Sequence, residues 1–180
     1  DQVAVLRGSK SVAGTNSAIT DEQAALIEAA PLFFVSTVDP GMKATADGIG
    51  PINLSPKGGT PLHVLDPNRV AYLDYKGSGD ETARHTQAGG PITVMVCSFE
   101  ENNCAIVRLY GTAKITPLEG SPLTEFLREK PAGELKLPER QVVEIEVEHT
   151  VTSCGYGVPV MPFARERTVG DRGRRFKEKR

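Results

Sequence analysis

A strand-like segment at residues 51–59 carries three polar side chains at alternate positions, Asn53, Ser55 and Lys57. Alternate residues of a strand lie on one face, so an amide, a hydroxyl and an ammonium group would be presented together. This combination suits a phosphate or a carbonyl-rich ring, because charge-assisted hydrogen bonds to such groups are strong. The other interpretation is a solvated strand edge with a surface lysine, and the segment taken alone favours it.

A second candidate lies at residues 69–85, where a strand is predicted to end in a Gly-rich loop that opens a helix. Free backbone N–H groups and the positive end of a helix can bind an anion at such a place. The side chains best placed to help are Ser78, Thr82 and Arg84. Asp80 and Glu81 in the first helical turn would repel a phosphate unless their carboxylates point away. The simpler interpretation is ordinary helix capping by Asp80.

Two further positions carry side chains that a pocket could use. Arg108 and Tyr110 share one face of a long predicted strand, where an arginine is uncommon. Arg108 could face a pocket or a subunit interface, or it could pair with a glutamate of residues 141–149. Tyr156 stands between two glycines in the segment 153–159, which predicts a tight turn. That turn could bring Tyr156 to a pocket or pack it onto the end of the fold.

The histidines and cysteines do not indicate a metal site. The three histidines are His63, His85 and His149, and their spacing matches no metal-ligand pattern, so no catalytic role is assigned to them. The three cysteines are Cys97, Cys104 and Cys154, and their spacing matches no zinc or CxxC pattern. We interpret the cysteines as reduced residues that pack as small buried hydrophobes. Cys154 is the one to watch, because its segment is polar and glycine-flanked.

The elements that must position these residues are mainly strands. Strands are predicted at 32–38, 51–55, 70–75, 92–99, 105–115 and 141–149, with a short extended piece at 62–65. Residues 56–59 are expected to end the second of them. Short helices are predicted at 21–30, opened by a capping box at Thr20 and Gln23, and at 81–88 and 121–130. Strands and helices do not alternate regularly, which favours an antiparallel barrel with appended helices.

The bulk properties are those of one ordinary globular domain. The chain has 180 residues, 39% of them hydrophobic, and a formal net charge of -2. No apolar run approaches the roughly 20 residues needed to cross a bilayer, and neither a membrane nor a nucleic acid partner is expected. These properties predict a cytoplasmic protein. We divide the chain into an N-terminal arm (1–19), one domain (20–164) and a basic C-terminal tail (165–180).

Five segments of the chain together resemble the pyridoxamine-5'-phosphate-oxidase-like, FMN-binding split barrels. In order they read LFFVSTV, INLSPKG, VLDPNRVAYLDYKGSGDETARH, IVRLYGTAKI and SCGYGVPVM, and they span residues 31–161. The ordered set is more specific than any single segment. The resemblance implies a mainly β (α+β) fold, a six-stranded antiparallel split β-barrel with short flanking helices. It also implies a homodimer that binds FMN in a pocket between its subunits.

The resemblance assigns roles to individual residues. Lys57, Thr82 and Arg84, with Ser78 in the same loop, would hold the flavin phosphate. Asn53, Ser55, Tyr72 and Asp74 would line the isoalloxazine or ribityl side, with Arg108 and Tyr156 near the pocket. The implied function is an FMN-dependent oxidoreductase that acts on a small molecule.

Two departures from the family pattern bear on activity. True pyridoxamine-phosphate oxidases carry basic residues where this chain has Asp80 and Glu81, and their C-terminal Trp and Arg segment has no clear counterpart here. Vitamin B6 oxidation itself is therefore not expected. The alternative is a split-barrel protein that is non-catalytic or non-redox and binds haem, a deazaflavin or a metabolite.

Overall fold

The computed structural model describes residues 14–45, 50–77, 79–129 and 138–167. Within these ranges it contains eight strands and three α-helices. The strands are β1 (Gly14–Asn16), β2 (Leu32–Val38), β3 (Ile52–Gly58), β4 (His63–Asp66), β5 (Arg69–Tyr75), β6 (Ile92–Cys97), β7 (Ala105–Pro117) and β8 (Glu139–Cys154). The helices are α1 (Asp21–Ala29), α2 (Glu81–Gln87) and α3 (Thr124–Glu129), with one 3₁₀ turn at Leu118–Gly120. None of these described helices is long and apolar enough to span a membrane.

The strands form one antiparallel sheet in the order β3-β2-β6-β7-β8-β5-β4, and β1 pairs with β8. Lys57 of β3 and Asp74 of β5 belong to strands near opposite ends of this order, yet Nζ and Oδ1 are 2.8 Å apart. The sheet therefore curls on itself into a barrel. The predicted antiparallel barrel with short flanking helices is confirmed, with eight strands in the described ranges instead of six.

The main hydrophobic core fills the barrel interior. Its most buried side chains include Phe33, Val35, Val94, Val107, Leu109 and Ile145. A smaller cluster lies on the opposite face of β5 and β8, under α3. It consists of Ala71, Leu73, Leu127 and Val142. The flanking helices thus cover parts of the outer barrel wall.

Helix α1 begins at the predicted capping box. Thr20 Oγ1 accepts from the Gln23 backbone at 3.3 Å, and Gln23 Oε1 accepts from the Thr20 backbone at 3.0 Å. The buried Gln23 side chain also donates to Thr152 Oγ1 at 2.8 Å and accepts from Thr150 Oγ1 at 3.0 Å. Ile27 is buried, whereas Ala24, Leu26 and Ala30 are only partly buried. A glutamine thus shares with Ile27 the task of fixing α1 to the barrel.

Strand β3 continues past the point where the sequence predicted its end. Residues 56–59 were expected to break it, but β3 pairs with β2 as far as Gly58. The expectation is wrong because β3 is an edge strand, where a proline is tolerated if its missing N–H faces away from the ladder. Gly59, at φ 71°, supplies the left-handed conformation just after the strand ends. The extension places Lys57 inside the strand rather than in a turn.

Several other boundaries also differ from the prediction. Strand β8 runs to Cys154, so Ser153 and Cys154 lie in a strand rather than in the predicted turn. Strand β1 lies inside the segment predicted to be an arm. Helix α3 begins at Thr124 instead of Ser121, and Lys130 lies outside the described residues, as does most of the basic tail. These differences lengthen the sheet without changing its class.

The expectation that all three cysteines are buried holds for one of them. Cys97 is buried, and burial raises the pKa of its thiol. Cys104 and Cys154 are exposed, because they lie where β7 begins and β8 ends. All three are free thiols.

Candidate functional site

Strand β3 turns its polar side chains inward and its apolar side chains outward. Asn53, Ser55 and Lys57 pair in register with Thr37, Val35 and Phe33, which are all buried inside the barrel. The alternate residues Ile52 and Leu54 are 64% and 67% exposed. We call Asn53, Ser55 and Lys57 the polar ridge. The predicted solvated polar face is wrong, because the polar side of this strand faces the barrel and the apolar side faces out.

One end of the polar ridge is bound to helix α2. Asn53 Nδ2 donates to Thr82 Oγ1 at 3.2 Å and to Thr37 Oγ1 at 3.5 Å. Its Oδ1 accepts from Ser55 Oγ at 3.1 Å. The structure thus brings Asn53, Ser55 and Thr82 together as the sequence predicted, in one connected set of hydrogen bonds.

The other end of the ridge is an ion pair. Lys57 Nζ lies 2.8 Å from Asp74 Oδ1, and the Asp74 side chain is 7% exposed. Gln141 Nε2 donates to the second carboxylate oxygen of Asp74 at 3.1 Å, and Arg140 approaches that oxygen to 3.9 Å. The charge of Lys57 is therefore balanced within the chain, and a phosphate would have to compete with Asp74 for it.

Tyr72 lies beside this ion pair in the barrel core. Its ring packs edge-on against Phe33, with centroids 5.1 Å apart, and Lys57 Nζ is 5.8 Å from its centroid. Burial, with the Asp74 charge as a smaller cause, holds the pKa of the phenol well above its usual value. Its hydroxyl has no hydrogen-bond partner among the described residues. A buried donor of this kind costs free energy unless something satisfies it.

We expect Tyr72→Phe to leave the free energy of unfolding unchanged or to raise it. The variant keeps the ring packing and removes a buried hydroxyl, whose desolvation without a partner costs about 1–3 kcal/mol. Urea unfolding of the two proteins measures the difference. A loss of more than about 1 kcal/mol would mean that the hydroxyl has a partner worth a typical hydrogen bond.

Arg140 of β8 holds the Gly-rich loop that precedes α2. Its guanidinium donates from Nη1 to the Gly79 carbonyl at 2.9 Å and from Nη2 to the Gly77 carbonyl at 3.3 Å. A cavity of about 480 Å³ opens here. Its lining consists of Gly77, Gly79, Asp80, Ala83, Gln87, Arg140 and Gln141. Sequence reasoning missed Arg140 and Gln141, because they lie more than sixty residues from the loop they contact and carry no motif.

The two acidic residues at the start of α2 behave differently from the sequence expectations. The Asp80 side chain makes no capping hydrogen bond, so the capping interpretation is wrong. The Glu81 carboxylate folds back over Gly79, where a Cβ would overlap it. One carboxylate therefore lies against the loop that was expected to meet an anion, and it does not point away.

The remaining predicted site residues do not all join the polar ridge. Arg84 is half-buried on α2, with Nη2 3.5 Å from His85 Nε2. Arg108 lies on the other face of the sheet and donates to Ser153 Oγ at 2.8 Å. Its hydrogen-bond partner on β8 is therefore a serine and not the glutamate considered from the sequence. Tyr156 is 92% exposed, so it does not pack onto the barrel end of this chain. Ser78 lies outside the described residues.

The described residues contain no group of three or more His, Cys, Asp or Glu placed to hold a metal ion. The side chains brought together at this site offer hydrogen bonding and charge. The ridge supplies an amide, a hydroxyl and an ammonium group, and Arg84 and Arg140 add two cations near α2. Such a set is suited to an organic ligand that has both polar ring atoms and an anionic group.

Comparison with known proteins places these observations in a family. A family model described as pyridoxamine 5'-phosphate oxidase matches residues 19–154. The pyridoxamine 5'-phosphate oxidase family protein ustO of Aspergillus flavus is 34% identical over 133 residues. That match covers 73% of this chain and 50% of the relative, so the chain spans half the length of the curated relative it matches.

Two solved structures share the fold. HupZ of Group A Streptococcus superposes with a TM-score of 0.52 at 24% identity, over 72% of this chain and 90% of that chain. An FMN-binding protein from Syntrophomonas wolfei superposes with a TM-score of 0.54 at 12% identity, over 79% of this chain and 85% of that chain. The fold is accordingly that of the FMN-binding split barrels.

Proposed function

The chain belongs to the pyridoxamine 5'-phosphate oxidase family, and we propose that it binds FMN and acts as a flavin-dependent oxidoreductase on a small molecule. The observation that carries the proposal is the polar ridge, an inward-facing row of hydrogen-bonding groups tied to helix α2 by Asn53 and Thr82. The three side chains are half-buried and hydrogen-bonded to one another or to neighbouring elements, so they form a preorganised polar surface that a ligand with polar ring atoms could contact.

The residues of the chain fit the parts of FMN. Ser55 and Asn53 would meet the polar edge of the ring or the ribityl chain. Thr82 and Arg84 on α2 would meet the phosphate, where Arg84 offers a charge-assisted contact. When bound, FMN supplies the hydride or electron transfer, while the protein orients it and excludes water. Tyr72 and Asp74 support Lys57 from behind rather than lining an open surface, because both are buried.

We further propose that the protein is a homodimer whose second copy covers the outward face of β3. This outer face is defined by Ile52, Leu54 and Pro56, with half-buried Phe34 and Met95 beside them in register. These five side chains carry no charge, and large exposed apolar patches mark interaction sites. In a two-fold dimer the same patch meets itself, so these apolar side chains can pack against their own copies, with Arg108, which pairs in register with Met95, at the rim of the patch. The flavin pocket would then be completed between the subunits.

One observation favours a second candidate function. The Glu81 carboxylate lies over Gly79, in the loop proposed to meet the phosphate, and its negative charge would repel a phosphate there. A split barrel that binds a ligand without a phosphate, or that performs no redox step, would leave this carboxylate in place. Haem, a deazaflavin or a small metabolite are the occupants in question.

The absorption spectrum of the purified protein separates these functions. We expect flavin bands, and oxidation of a reduced nicotinamide or another reductant by the yellow protein. A haem or deazaflavin spectrum would support the second candidate. A colourless protein that gains no thermal stability when FMN is added would contradict the proposed function.

A further inference from the structure

His85 is a buried histidine whose two ring nitrogens both have partners inside the site. It lies on α2 and is 1% exposed. Its Nδ1 is 3.0 Å from Thr37 Oγ1, and its Nε2 is 3.5 Å from Arg84 Nη2. No local pattern in the sequence assigns it a role, because Thr37 is 48 residues away along the chain.

The chemistry of these partners determines which ring nitrogen carries the hydrogen. A guanidinium has only donors, so Nε2 of His85 must accept from Arg84. The ring hydrogen then sits on Nδ1 and is donated to Thr37 Oγ1. Because the Arg84 guanidinium donates to one ring nitrogen of His85, the other ring nitrogen carries the hydrogen and donates to Thr37.

The next links of the chain lead to the polar ridge. Thr37 Oγ1 also accepts from Nδ2 of Asn53 at 3.5 Å. Together with the bond from the same Nδ2 to Thr82 Oγ1 at 3.2 Å, this contact holds the Asn53 amide with its Oδ1 toward Ser55. The Ser55 hydroxyl gives its hydrogen to that Oδ1 at 3.1 Å. A hydroxyl has one hydrogen and two lone pairs, so Ser55 keeps only lone pairs for a ligand.

We propose that His85 is a positioning residue that, through Thr37 and Asn53, makes Ser55 a hydrogen-bond acceptor toward the ligand. The site therefore selects a ligand that presents an N–H or O–H donor to strand β3. A ligand that presents only a carbonyl oxygen there would leave two acceptors facing each other without a hydrogen. The flavin-binding part of this inference rests on the proposed function, and the part about the imidazole does not.

The first test uses the ligand-free protein. A long-range ¹H–¹⁵N correlation spectrum distinguishes the two imidazole tautomers, and His85→Asn identifies the His85 signals by their loss. We expect the His85 hydrogen on Nδ1, and we expect Thr37→Val to shift that signal. A hydrogen on Nε2, or on both nitrogens, would overturn the proposal whether or not the protein binds FMN.

The second test measures FMN affinity and the visible spectrum of the bound flavin. We expect His85→Leu to weaken binding by about tenfold, which corresponds to the loss of one well-placed hydrogen bond, and to shift the flavin bands. His85→Asn keeps a donor near the position of Nδ1 and should retain most of the affinity and the original spectrum. If His85→Leu does not fold, Thr37→Val takes its place, because it removes the hydroxyl that accepts from both His85 and Asn53 and so breaks the same chain of hydrogen bonds.

His63→Leu is the matched control, since His63 is also a buried histidine but lies on β4 with its ring against Phe126. It is expected to change stability and to leave the flavin spectrum unchanged. Equal effects of His63→Leu and His85→Leu on the spectrum, or no effect of His85→Leu, would overturn the positioning role. If the wild-type protein fails to bind FMN, the proposed function fails, and the tautomer measurement still decides the role of His85.

Discussion

The double variant Ile52→Asp, Leu54→Asp is expected to be a monomer that has lost FMN binding. Both side chains stand on the outer face of the edge strand β3 and are 64% and 67% exposed in the single chain. Burying an apolar side chain of this size contributes about 1.5–3 kcal/mol. A two-fold interface uses each residue twice, so the dissociation constant should rise by at least about a thousandfold. In the proposed dimer the partner supplies the second wall of the pocket, so flavin binding should fall when the dimer dissociates.

Sedimentation or light scattering at several protein concentrations measures the oligomeric state, and flavin fluorescence measures binding. Phe126→Asp is the matched control, because it places the same charge at an apolar residue that is 44% exposed on α3. The control should remain a dimer that binds FMN. A double variant that stays dimeric with FMN bound would show that the outer face is not the interface.

Asp74→Ala is expected to lower the free energy of unfolding by about 3 kcal/mol, the lower end of the range for breaking a buried ion pair. The lower end applies because Lys57 retains 21% exposure and keeps some contact with water. Asp74 accepts from Lys57 and Gln141, so its loss leaves two donors without their acceptor and removes the carboxylate that lies 3.9 Å from Arg140. It also removes the contact that joins β3 to β5 across the open side of the barrel.

The opposite truncation should cost less. In Lys57→Met the Asp74 carboxylate keeps Gln141 and Arg140 nearby, so the expected loss is about 1–2 kcal/mol. The pair Lys57→Met, Asp74→Leu should recover part of the loss, because no unpaired charge remains. Asp66→Ala is the control, because it removes an exposed ion pair with Arg69 that water screens and that is expected to contribute little to stability. Urea unfolding that finds Asp74→Ala no more damaging than Asp66→Ala would contradict the structural role of Asp74.

Local sequence signals predicted the fold well where the determinant is local. The run of β-branched and aromatic residues at 32–38 gave strand β2 with both ends correct, and the hydroxyl of Thr20 with Gln23 gave the start of α1. The end of β3 was wrong because proline breaks a central strand but not an edge strand. Whether a strand lies at an edge depends on the order of the whole sheet, which local signals do not contain.

The site was only partly predictable for the same reason. Alternation correctly placed Asn53, Ser55 and Lys57 on one face, but not the side of the sheet to which that face belongs. Arg108 also lies in a regularly alternating strand, but its side chain is on the opposite side of the sheet. The pairing register of the strands decides which set of alternate residues faces the barrel interior. Lys57 was expected to face an anion, and only the curl of the barrel brings Asp74 to it.

The contacts of His85 and Arg140 were invisible to sequence reasoning, since each joins segments more than forty residues apart. Neither side chain belongs to a recognisable sequence motif, and each makes its contacts with residues that are distant along the chain. His85 reaches the ridge through Thr37, and Arg140 holds two carbonyl groups of a loop. Residues of this kind become apparent only when the packing is known.

A calorimetric titration of the ligand-free wild-type protein with FMN and, in parallel, with riboflavin tests the flavin site directly. We expect saturable binding of one FMN per protomer. We also expect riboflavin to bind at least about tenfold more weakly, because the lost phosphate contacts are charge-assisted. Equal affinity for the two flavins would contradict the phosphate assignment at α2. Absence of FMN binding would contradict the central claim that the polar ridge of β3 and the start of α2 form a flavin site.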